Sequence, residues 1–144
     1  MDTVYVPQRD RYDCVIAAAA MFVGVSYEQA FEAAEPYYRP RKVKGRYGVR
    51  DVNATLNGLV SPDKYRGLWL PLEFVSPHFV RQLLWGRRAL ITTPSLNTRG
   101  GMHVVYYDGH RVYDPQQPPK KVYQDFEELT PTEAWIWREG EPTR

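Results

Sequence analysis

The chain has 144 residues and a formal net charge of +2 at pH 7, and 43% of its residues are hydrophobic, which is ordinary for a globular protein. We expect one domain spanning residues 1–144. No run approaches the roughly 18 apolar residues of a membrane helix, and the N-terminus lacks a signal-peptide pattern. We therefore expect a cytoplasmic protein with no membrane partner. A single cysteine excludes an internal disulfide and, with three histidines, argues against structural zinc, so we expect neither metal nor cofactor.

Start and stop signals predict helices in the first part of the chain. Asp13 is a good N-cap residue, and Gly24 ends the apolar run that follows it. Residues 26–29 have the form of a capping box, and we expect Pro36 to stop the helix that they open. The predicted helices cover residues 14–23, 26–35, 49–59 and 77–85.

The second part of the chain changes to short β-prone runs. The predicted strands in this part cover residues 89–93, 103–107, 111–113, 121–123 and 134–137, and one further strand is predicted earlier, at residues 67–70. Helices followed by antiparallel strands predict an α+β fold. We place the helical half at about residues 1–86 and the sheet half at about residues 87–140, with the active site in the cleft between them.

A turn signal predicts a specific pair of side chains. Asp108–Gly109 lies between two β-prone runs and favours a two-residue hairpin loop, in which Tyr107 faces His110. Counting back along this ladder sets His103 directly opposite Asp114. Such partners share a face of the sheet, with Cβ atoms about 4.5–5.5 Å apart, so the carboxylate can hold an imidazole N–H.

These residues fit the chemistry of a thiol nucleophile. A cysteine thiol, whose unperturbed pKa is about 8.5, reacts as its thiolate, and the positive end of a helix dipole favours the anion at Cys14. An imidazolium at His103 would favour it further, with Asp114 orienting the ring. The side-chain amide of Gln8 and the backbone N–H of Cys14 are candidate donors to an oxyanion.

Gln8, five intervening residues, Cys14, and then His103 and Asp114–Pro115 resemble the papain-like cysteine peptidases. The pattern is most similar to the bacteriocin-processing branch, which cuts after double-glycine leaders. The resemblance implies a papain-like fold in which the cysteine helix packs on an antiparallel sheet. It also implies a catalytic set with Gln8 in the oxyanion hole, Cys14 as nucleophile, His103 as general base and acid, and Asp114 as the residue that orients the histidine.

The resemblance extends from Val6 to about Trp137, and residues 48–52 look like the start of the family's middle helix. One departure lies next to the nucleophile, because the family usually has glycine where this chain has Val15. The expected substrate is a peptide or protein. A leader peptide cannot be assumed, since the chain lacks the transporter that many relatives carry.

Two alternatives to a peptidase stay open. The same residues could perform another acyl transfer, such as glutamine deamidation or transglutamination. Alternatively, the chain could be a non-catalytic papain-like protein that binds a protein or nucleic acid through a basic loop. The cationic stretch from Arg39 to Arg50 is a possible site for an acidic partner, although no base-stacking motif accompanies it, which disfavours nucleic acid.

Overall fold

The computed structural model describes residues 3–9, 13–38, 49–59, 68–97 and 101–137. Within these ranges the chain forms helices and an antiparallel sheet, in agreement with the α+β prediction. The helices are α1 (Cys14–Val23), α2 (Tyr27–Tyr38), α3 (Val49–Leu59) and α4 (Pro77–Leu84). The strands are β1 (Leu68–Pro71), β2 (Ala89–Pro94), β3 (Met102–Tyr107), β4 (Val112–Tyr113) and β5 (Glu133–Ile136), and a 3-10 turn covers Phe126–Glu128. No helix in the described ranges is long and apolar enough to cross a membrane.

The sheet has the strand order β1-β5-β2-β3-β4, and all neighbouring strands are antiparallel. Its side chains alternate between two apolar cores, as the two-residue period of a strand requires. One core lies between helices α1, α2 and α3 and the sheet residues Leu90, Val104 and Trp135. The other lies between α4, the 3-10 turn and residues such as Ile91 and Val105. The sheet is thus the middle layer of three.

Helix α1 has the predicted bounds. Gly24 ends it in the left-handed region, with φ of 84°, and donates its N–H to the carbonyl of Ala20 at 2.8 Å. Every residue from Val15 to Ala20 is almost completely buried, and the run of alanines lets α2, α3 and β3 pack closely around the helix. The sequence therefore makes α1 the central helix of its layer.

Asp13 occupies the N-cap position of this helix, as predicted, but its side chain does not cap the helix. Oδ2 of Asp13 instead accepts hydrogen bonds from the backbone N–H of Arg9 at 2.9 Å and from the hydroxyl of Tyr27 at 2.5 Å. Asp13 is fully buried, and these two donors, one from the N-terminal segment and one from α2, satisfy the carboxylate in place of the helix N–H groups.

The predicted starts of α2 and α4 are confirmed. Ser26 and Gln29 exchange the two hydrogen bonds of a capping box, at 3.0 and 3.1 Å. Ser76 Oγ accepts from the N–H of Phe79 at 3.2 Å. Helix α2, however, continues through Pro36 to Tyr38, so proline does not stop it. A proline in the last turn removes one backbone donor, which is a small loss when only two residues follow.

The run 121–123 does not form the predicted strand. The N–H of Lys121 donates to Oδ1 of Asn97 at 3.2 Å, and the N–H of Tyr123 donates to Oδ2 of Asp114 at 2.5 Å. Because side chains accept these backbone hydrogen bonds, this segment is anchored without a strand partner. Tyr123 at its end is buried.

The hairpin between β3 and β4 has a longer loop than predicted. Tyr107 pairs with Val112 and Tyr106 with Tyr113, which leaves four residues, 108–111, in the loop. Oδ1 of Asp108 accepts the N–H groups of His110 and Arg111 at 2.8 and 2.7 Å. The aspartate thus organises a wider turn through its own side chain, and the predicted two-residue loop is wrong.

Candidate active site

A buried histidine–aspartate pair lies where β3 begins and β4 ends. Nε2 of His103 is 2.7 Å from Oδ1 of Asp114, and the two residues are 5% and 7% exposed. The observed ladder, continued past Tyr113, sets Asp114 opposite Val105 and therefore diagonal to His103. Residues two apart on a strand share a face, so the carboxylate still reaches the imidazole.

Two further donors fix the carboxylate of Asp114. The N–H of Gln116 donates to Oδ1 at 2.8 Å, and the N–H of Tyr123 donates to Oδ2. The ring of Tyr123 also stacks on His103, with centroids 5.8 Å apart and planes inclined by 26°. The imidazole is therefore held at its edge by a carboxylate and on its face by an aromatic ring.

Sequence reasoning missed both supporting residues. The contact of Gln116 has a local signal, because an aspartate followed by proline often accepts the N–H two residues on, as in an Asx turn. The contact of Tyr123 has none. It depends on a chain reversal between Asp114 and Tyr123, which is the last residue of the run 121–123 that the sequence predicted as a strand.

The side chain of Cys14 is also near the imidazole of His103. Cys14 is the first residue of α1 and 5% exposed, and its side chain lies close enough to the imidazole of His103 to raise the pKa of that ring. Since Nε2 of His103 contacts Asp114, Nδ1 is the ring nitrogen left for the thiol. The imidazole of His103 thus lies next to both the carboxylate of Asp114 and the side chain of Cys14.

The surroundings of His103 favour its charged form. Burial acts to lower the pKa of the imidazole, but the hydrogen bond to Asp114 and the interactions with Cys14 and the Asp114 charge outweigh it. The net effect raises the pKa of His103 from 6.5 to about 10. At neutral pH the ring is therefore held as an imidazolium between two potential anions.

The N-terminal segment brings Gln8 to the same loop. The N–H of Gln8 donates to the carbonyl of Pro115 at 2.8 Å, and Nε2 of Gln117 donates to the carbonyl of Gln8 at 3.3 Å. The hydroxyl of Tyr5 donates to the backbone carbonyl of Asp114 at 2.6 Å. Residues 5–8 are thus tied along the segment that carries the aspartate.

Val15, which replaces the glycine of the papain-like pattern, is 1% exposed. It belongs to the apolar core that α1 shares with α2, α3 and the sheet. Its side chain is therefore part of the packing that anchors α1, and it does not project into solvent next to the thiol.

The cationic stretch from Arg39 to Arg50 lies outside the described residues, apart from the backbone of Val49 and Arg50 at the start of α3. Within the part of the chain that the structure describes, no group of three or more His, Cys, Asp or Glu side chains could hold a metal ion. Comparisons of the chain with protein-family models, with curated proteins and with solved structures found no match.

Proposed function

We propose that this chain is a cysteine peptidase that hydrolyses a peptide or isopeptide bond through an acyl-enzyme on Cys14. The observation that supports it most is the position of the His103 ring, which is hydrogen-bonded to Asp114 and lies close enough to Cys14 for that side chain to raise its pKa. This is the arrangement in which a base activates a nucleophile and a third group orients the base.

In the proposed reaction the thiolate of Cys14 attacks the carbonyl carbon of the scissile bond. The imidazolium of His103 then gives its proton to the leaving amine, and a thioester to Cys14 remains. A water molecule next loses a proton to the neutral His103 and attacks the thioester. Collapse of that intermediate expels the thiolate of Cys14 and releases the carboxylic acid. Because the ring keeps the proton that it took from water, the thiolate–imidazolium pair is restored.

The developing oxyanion needs preorganised donors. We assign this role to the backbone N–H of Cys14, which as the first residue of a helix has no partner within the helix, and to the side-chain amide of Gln8. The tie between Gln8 and Pro115 supports the second assignment, because it fixes the glutamine relative to the loop that carries Asp114.

A papain-like fold is part of the same proposal. In support, the helix that begins at Cys14 packs on strand β3, which carries His103, and Asp114 follows the next strand. We assign the same cytoplasmic location that the sequence suggests, with unstructured peptides or protein tails as substrates.

A mixture of unstructured peptides, analysed by mass spectrometry for new termini, tests this function. We expect cleavage by the wild-type protein, none by Cys14→Ala or His103→Ala, and unchanged cleavage by His110→Ala, whose histidine is exposed. Release of ammonia without new termini would assign glutamine deamidation instead. A third outcome would assign a binding protein. In that case the wild-type protein cleaves no peptide, the wild-type protein and Cys14→Ala bind a partner equally well, and neutralising Arg41, Lys42 and Lys44 abolishes the binding.

A further inference from the structure

A cavity of about 530 Å³ lies at the end of the molecule away from Cys14. It is lined by the C-terminal end of α1, including Met21, by Tyr106 near the end of β3, and by the N-terminal segment at Val4 and Val6. Met21 is seven residues after Cys14, a distance of about 10 Å along a helix. The cavity is therefore separate from the candidate active site, and the binding of a ligand in it does not require the proposed peptidase activity.

The size and lining of this cavity are those of a small-molecule site. Ligand pockets enclose about 300–1,000 Å³ and combine an apolar wall with a few polar groups. Here Val6, Met21 and Val25 supply apolar wall, and Arg88 and Asp108 supply charged groups. The nature of the ligand then depends on which of the two charges is already satisfied.

Asp108 is largely satisfied by its own turn. Oδ1 accepts the two N–H groups of the loop 108–111, from His110 and Arg111, and Oδ2 accepts the hydroxyl of Tyr113 at 3.1 Å. A carboxylate oxygen accepts about two hydrogen bonds, so three of the four positions on Asp108 are occupied. Little of its acceptor capacity is left for a ligand.

The guanidinium of Arg88, in contrast to the carboxylate of Asp108, has donor groups left for a ligand. Its guanidinium lies over the ring of Trp137, 4.4 Å from the centroid, and 5.9 Å from that of Phe22. Among the described residues no carboxylate forms an ion pair with it. Aromatic stacking uses the face of a guanidinium and leaves the N–H groups at its edge, which are the groups that bind carboxylates.

We propose that this cavity binds a small molecule with one carboxylate head and an apolar body. The carboxylate pairs with the edge of Arg88, and the apolar body lies against Val6, Met21 and Val25. Arg88 is preorganised for this role, because its contact with the ring of Trp137 holds the guanidinium in place before a ligand arrives.

Calorimetric titration of the full chain with octanoate tests the site, with octan-1-ol and octylamine as neutral and cationic analogues of equal length. We expect octanoate to bind one to one, and both analogues to bind at least about tenfold more weakly, because a charge-assisted hydrogen bond is lost. Equal affinities for octanoate and octan-1-ol, tighter binding of octylamine, or no binding of octanoate at millimolar concentration would overturn the proposal.

Two variants locate the binding. Arg88→Gln should weaken octanoate binding at least about tenfold. Arg111→Gln, which removes an equal charge from a residue outside the cavity, should leave it unchanged. Octanoate binding that survives Arg88→Gln intact would place the ligand elsewhere and refute the site. Should Arg88→Gln fail to fold, the comparison of octanoate with octan-1-ol on the wild-type protein decides alone.

Discussion

His103 and Asp114 are joined by a hydrogen bond of 2.7 Å although they are not directly opposite each other in the ladder of β3 and β4. The longer loop moves the register by two residues from the one that a two-residue turn would give. An even shift keeps a side chain on the same face of a sheet, whereas an odd shift moves it to the other face. The predicted turn was therefore wrong, but the error left the side chains of His103 and Asp114 on the same face of the sheet, where they are in contact.

The first prediction concerns the reactivity of Cys14. Because it is the only cysteine in the chain, one adduct by intact mass reports on this thiol alone. We expect iodoacetamide to label it in the wild-type protein down to about pH 5, since the imidazolium of His103 stabilises the thiolate. In His103→Ala the labelling rate at this pH should fall by at least about tenfold, because only the neutral thiol is left.

Two controls accompany this experiment. Cys14→Ser should take no adduct, and His110→Ala should label like the wild-type protein, because its ring is exposed and contacts Trp85 rather than the thiol. Identical pH profiles for the wild-type protein and His103→Ala would contradict a thiolate–imidazolium pair and the peptidase proposal with it.

Asp114→Asn tests the orienting role of the carboxylate. The amide retains the shape of the side chain but its charge is lost, and its NH₂ group cannot accept the proton of the imidazole. We expect turnover to fall by about 10²–10⁴-fold, the range of a general acid–base contribution, with little change in KM. Equal activity of Asp114→Asn and the wild-type protein would show that the contact is structural. Asp125→Asn, on the exposed surface, is the matched control.

Much of the fold could be predicted from local signals. The bounds of α1 and α3, the capping box of α2 and the serine cap of α4 all depend on residues close together in sequence, and the structure has them as predicted. The errors lie where distant groups compete with a local preference. The side chain of Asp13 accepts a hydrogen bond from the hydroxyl of Tyr27 instead of from a helix N–H. The N–H of Tyr123 donates to the side chain of Asp114 instead of to a neighbouring strand.

The residues of the candidate site likewise fall into those that the sequence could identify and those that it could not. Cys14, His103 and Asp114 could be found because their chain order and the hairpin signal constrain them. Tyr123 and the N-terminal tie through Gln8 could not, since each depends on segments about 10 to 110 residues apart meeting in space. The cavity beside Arg88 also has no sequence signal, because segments far apart in the sequence line it, from Val4 to Asp108.

The stability of the fold should depend on pH through His103. Its pKa in the folded protein, about 10, is above the 6.5 of the unfolded chain, so folding favours the charged ring. This contribution is fully present below about pH 6.5 and is lost as the pH rises through about 10. Urea unfolding of the wild-type protein and of His103→Gln should therefore show a difference in unfolding free energy that shrinks between these limits. A constant difference would mean that the ring is neutral in the folded protein.

Gly109 should be far less tolerant of alanine than Gly24, although both have positive φ, at 105° and 84°. A Cβ at Gly109 would lie 2.9 Å from the carbonyl carbon of Gly86, whereas a Cβ at Gly24 would meet nothing within 4 Å. Gly24→Ala should cost about 1–2 kcal/mol from backbone strain alone. Gly109→Ala should cost more, because the hairpin loop must also move away from Gly86. Equal costs in urea unfolding would mean that the loop moves without resistance.

The contact between Asp13 and Tyr27 accounts for the missing cap, and a double-mutant cycle measures it. Tyr27→Phe removes the hydroxyl that Oδ2 of Asp13 accepts, and we expect a loss of about 1.5–3 kcal/mol because the carboxylate is buried. In an Asp13→Ala background the same change should cost at least about 1 kcal/mol less. Tyr113→Phe, whose hydroxyl contacts Asp108, should cost the same in both backgrounds. An aspartate that stabilised α1 as a helix cap would instead leave the cost of Tyr27→Phe independent of residue 13.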